Sequence, residues 1–94
     1  MAKSAEEVHL DCMNRFIDLA NTLKNEGVEK NIVSSGLMTA SAVYATYSAV
    51  GNTGGLTDSG VDKVLGAYRQ RLERVQRYRK DEDNRRRSEA ERQE

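Results

Sequence analysis

The chain contains no proline and no tryptophan, and only one cysteine and one phenylalanine among 94 residues. Each absence excludes something. Without proline, the strongest helix breaker is missing from the whole chain. A single cysteine cannot form an intrachain disulfide, and it suits a reducing compartment, so a cytoplasmic location is expected. One histidine and one cysteine cannot complete a tetrahedral nitrogen–sulfur site within one chain. The N-terminus, MAKSAEEVHLD, lacks the apolar run of a secretion signal. At this size one thin-cored domain is expected, and association commonly supplements such a core.

The most informative absence is local. Charged residues make up 32% of the sequence, yet residues 31–57 contain none. Within that stretch, IVSSGLMTASAVYATYSAV has the length and composition of a helix with no solvated face. Its many Ser and Thr residues and the lack of an aromatic belt argue against a membrane span and for a soluble helix covered by others. No membrane partner is expected.

Three helices can be read from the pattern. Ser4 and Glu7 form S-x-x-E, a capping box. Cys12, Met13, Phe16, Ile17, Ala20 and Leu23 then recur at helical spacing and form a core-facing stripe, with Asp11 placed to pair with Arg15. Gly27 is placed to end this helix in the left-handed conformation. A second helix is expected over about 30–50, with Ser34 and Ser35 near its start. A Gly-rich loop follows. Thr57 or Ser59 can cap the third helix, and Leu56 with Val61 then fit a hydrophobic staple. Val61, Leu65, Tyr68, Leu72 and Val75 alternate by four and three, a heptad seam that stops where Arg79 and Glu82 take the next positions. Asp81 with Arg85, Glu82 with Arg86, and Asp83 with Arg87 are spaced as helical ion pairs.

The expected fold is therefore all-α: a three-helix antiparallel bundle with a long, partly solvated C-terminal helix, completed by oligomerisation. The helical domain is expected over 1–78, with helices about 4–26, 30–50 and 57–78. Residues 79–94 form a charged helical extension or a disordered tail.

No catalytic constellation is visible. His9 and Cys12 lie three apart on one helix, but nothing supplies oxyanion donors or a further base. Gly51, Gly54 and Gly55 lack the lysine of a phosphate loop. No catalytic, cofactor-binding or metal-binding residues are expected, and the protein is not expected to be an enzyme.

Small residues at helical spacing let backbones approach closely. The expected oligomer interface comprises Gly36, Ala40, Val43, Tyr44, Ala45 and Tyr47 of the second helix and Leu65, Tyr68 and Leu72 of the third. The partner is a second copy, in a homodimer or higher oligomer, with another protein as a further partner. The reading is a self-associating interaction or accessory protein. The alternative is nucleic-acid binding through Arg69, Arg71, Arg74, Arg77, Arg79 and Lys80, where Glu73 is the sole acid. A small enzyme or cofactor-binding helical protein stands third.

Three strings carry a resemblance: FIDLAN at 16–21, VSxxLMxASA at 33–42 followed by Tyr44 and Tyr47, and AYRQRL at 67–72. Together they resemble a small bacterial family of uncharacterised helical proteins over roughly 12–72. The Gly-rich loop and the charged C-terminus depart from that pattern. The resemblance implies a compact helical fold and no particular activity.

Overall fold

A computed structural model describes residues 2–93, so Met1 and Glu94, the outer ends of the expected domains, lie outside it. The protein is all-α, with three helices: α1 (Ala5–Asn25), α2 (Lys30–Val50) and α3 (Asp58–Arg92). There is no strand among the described residues. Two structural units are distinguished, Met1–Ser48 and Ala49–Glu94, and each is described by itself.

In the first unit α1 starts where its cap dictates. Ser4 is extended and its hydroxyl accepts from the Glu7 amide at 3.1 Å. The reciprocal bond of a capping box, from Glu7 back to Ser4, is not formed among the described residues. The helix ends at Gly27, whose φ of 103° only glycine adopts without strain. The Gly27 amide donates to the Lys24 carbonyl at 3.0 Å, and the Val28 amide to the Leu23 carbonyl at 3.1 Å. This pair of bonds is a Schellman closure, and it satisfies two carbonyls the helix end would otherwise leave open.

α2 follows after Val28 and Glu29, and the Glu29 carbonyl accepts from both Ile32 and Val33. Ser34 and Ser35 therefore lie beyond the first turn, and neither makes a side-chain hydrogen bond to its amides. The Thr46 hydroxyl donates to the Ala42 carbonyl at 2.9 Å, turning one polar group of α2 onto its own backbone.

In the second unit Thr57 caps α3, its hydroxyl accepting from the Gly60 amide at 3.1 Å. α3 is unbroken for 35 residues, so the segment after residue 78 is helix as far as Arg92. Two of the three expected ion pairs of that segment are present, Glu82 with Arg86 at 3.9 Å and Asp83 with Arg87 at 3.2 Å. The third is replaced. Arg85 turns to Glu82 at 2.7 Å, three residues away, in place of Asp81. Arg69 and Glu73 add a pair at 3.0 Å. Asp11 and Arg15 form none, as neither is held by packing on an exposed helix face.

The core positions read from the sequence need correction. Among the described residues neither unit buries a side chain. Cys12 is exposed, Phe16 is 60% exposed and Ile17 47%, while Ala20 is half-buried. The physical reason is coverage: helical periodicity defines an apolar face, but closing a core over it takes neighbouring surfaces that the first unit's two helices do not supply.

Candidate interaction surfaces

α2 places Gly36, Ala40, Val43, Tyr44 and Tyr47 within one sector of about 100°, because these positions recur near the 3.6-residue period. Ala45 falls on the other side of the helix, where it is half-buried. The shared sector is open. Val43 is 66% and Tyr44 69% exposed. The Tyr44 and Tyr47 rings meet edge-on, with centroids 5.7 Å apart and planes at 60°. That contact stiffens an aromatic ridge beside two positions, Gly36 and Ala40, that have almost no side chain. A Cβ built on Gly36 meets nothing within 4 Å. Ridge and trough together are the relief that helix–helix packing uses.

α3 aligns Leu65, Tyr68 and Leu72, with Val61 and Val75 continuing the line. All five are exposed within their unit. Arg69 and Arg71 fall about 80° to either side of the Tyr68–Leu72 line, one on each border. Arg69 is held by Glu73, and Arg71 reaches back to the Ala67 carbonyl at 3.5 Å. Arg74, Arg77, Arg79 and Lys80 have no acidic partner among the described residues. Arg79 stands in line with the seam at its C-terminal end, and the other cations spread round the helix outside the apolar line instead of forming one stripe. The Asp81–Glu82–Asp83 run follows them at once.

The described residues contain no group of three or more His, Cys, Asp or Glu side chains placed to hold a metal ion. No helix among them is long and apolar enough to cross a membrane. The sequence signal missed one feature of these surfaces, the bracketing of the α3 seam by Arg69 and Arg71. It was available from the same wheel that gave the seam, by asking what flanks it.

Comparison of the chain with protein-family models, curated proteins and solved structures gives no match.

Proposed function

We propose that the protein works by associating with itself, as a small helical interaction or accessory protein without catalytic activity of its own. The Gly36–Ala40–Val43–Tyr44–Tyr47 sector of α2 is the centre of that contact. One observation supports the reading above others. On and beside this sector α2 exposes Ile32, Leu37, Val43, Tyr44 and Tyr47 in a segment without a charged residue. Fully burying a large apolar side chain is worth about 1.5–3 kcal/mol. An exposed, uncharged apolar surface of this extent is a mark of a protein–protein contact.

Sedimentation velocity at tens of micromolar tests the proposal, with an oligomer as the expected result. Ala40→Arg places a charge in the trough and should give monomers or insoluble protein. Ala45→Arg, on the other side of α2, should spare the association. A stable wild-type monomer at that concentration overturns the reading.

A further inference from the structure

The α3 seam is a second surface with different chemistry. Val61, Leu65, Tyr68, Leu72 and Val75 are 42–59% exposed. A second α3 does not suit it. The seam lasts two heptads, short of the three or four that identify a coiled coil. Its borders also offer few charges that could pair two copies. In a parallel pair Arg71 would face Gln76 of the other copy, and Arg69 would face Val64. Two antiparallel registers each match four of the five apolar residues: in one, Arg69 meets its own counterpart and so does Arg71, and in the other Arg69 faces Asp62 while Arg71 faces Val64. One of these arrangements offers Arg69 a carboxylate and none offers Arg71 one, and border charges are what select a coiled-coil partner.

Residues 61–80 carry seven cations, namely Lys63, Arg69, Arg71, Arg74, Arg77, Arg79 and Lys80, against two carboxylates, Asp62 and Glu73. We propose that this stretch of α3 is an interfacial helix that lies on an anionic lipid surface. The seam faces the acyl boundary, Arg69, Arg71 and Lys80 border it among the headgroups, and Lys63, Arg74 and Arg77 lie on the outer face. Such a helix needs one apolar sector, a basic border and no periodic partner. Arginine stems can lie along the apolar line while the guanidinium stays at headgroup level. The Arg69–Glu73 pair is solvent-exposed and weak, so Arg69 is free to exchange it for a lipid phosphate. Asp81, Glu82 and Asp83 mark where the helix leaves the surface, because anionic headgroups repel them. The expectation of no membrane partner concerns a crossing helix, and the lack of one does not bear on this proposal, since the helix lies in the interface plane. A nucleic-acid groove matches the cations but leaves Leu65 and Leu72 without a partner.

The experiment uses the full chain and vesicles of phosphatidylcholine, alone or with about 30% phosphatidylglycerol. Co-sedimentation should be at least tenfold greater with the anionic vesicles at low salt, and should fall several-fold near 0.5 M salt, where screening is short-ranged. Leu65→Gln with Leu72→Gln, and separately Arg71→Gln with Arg79→Gln, should each reduce it about tenfold. Circular dichroism should show helicity retained in both. No partition, equal partition into neutral vesicles, or unchanged binding by both variants overturns the proposal. So does binding to duplex DNA or single-stranded RNA that the leucine pair does not affect, in the absence of vesicle binding. Sedimentation velocity keeps the two surfaces apart. A monomer that binds vesicles removes self-association alone, and an oligomer that ignores vesicles removes the lipid surface alone.

Discussion

The Val28 amide reaches back across Gly27 to the Leu23 carbonyl, 3.1 Å away, and so closes α1. The bond requires the positive φ of Gly27, and nothing lies within 4 Å of a Cβ built there. A substitution at Gly27 is therefore a test of local backbone conformation with no clash against other parts of the protein. Gly27→Ala should destabilise the first unit by about 1–2 kcal/mol, the cost of a left-handed L-residue. Urea denaturation followed by circular dichroism would register it as a lower midpoint.

Gly36 and Gly66 form a matched pair of probes. Both sit inside helices, and neither has an atom within 4 Å of an added Cβ. Alanine is better than glycine in a helix interior by about 1 kcal/mol. Gly66→Ala should accordingly raise thermal stability. Gly36→Ala should gain the same propensity but lose close approach at the proposed contact, so the oligomer should weaken while helicity rises. If both variants stabilise alike and associate like wild type, Gly36 is not in the contact.

The α3 cap depends on one hydroxyl. Thr57→Ala removes the acceptor of the Gly60 amide and should cost about 1 kcal/mol. Thr57→Asp should restore it, since a carboxylate caps equally well and favours the helix N-terminus. Guanidinium unfolding of the two variants side by side would show the difference.

Cys12 is a built-in reporter. Its thiol is exposed, so dilute protein should react with a thiol reagent at close to the rate of an unfolded control. Protection that appears only as concentration rises would place α1 in the self-associated contact as well as α2.

Removing residues 80–94 should change the melting temperature by no more than a few degrees. Among the described residues, what is lost is three surface ion contacts, at Glu82 and Asp83, and such pairs contribute little each. Dissociation or unfolding of the truncated chain would show that this end belongs to the assembly.

The features legible in the sequence are those fixed within a few residues. Gly27 and Thr57 could be placed because a helix end is closed by its own neighbours. The seam could be placed because periodicity belongs to one helix. Ion pairing was only partly legible, because Glu82 lies within reach of both Arg85 and Arg86 and draws Arg85 away from Asp81. Burial was not legible for Phe16 or Cys12. An apolar stripe records that a side chain has something to cover, while coverage depends on surfaces distant in the chain.

The unbroken course of α3 to Arg92 has a consequence of scale. At 1.5 Å per residue, Arg92 stands about 25 Å along the axis from Val75, where the seam ends. Ionic interactions in physiological salt fade over about 8 Å. The two ends of α3 are thus electrically insulated from each other by helix length alone. Charge at the far end, whether altered by substitution or by a bound partner, leaves the field around Arg69 and Arg71 undisturbed. A rigid rod of this kind can carry two independent contacts on one element, each free to change without retuning the other.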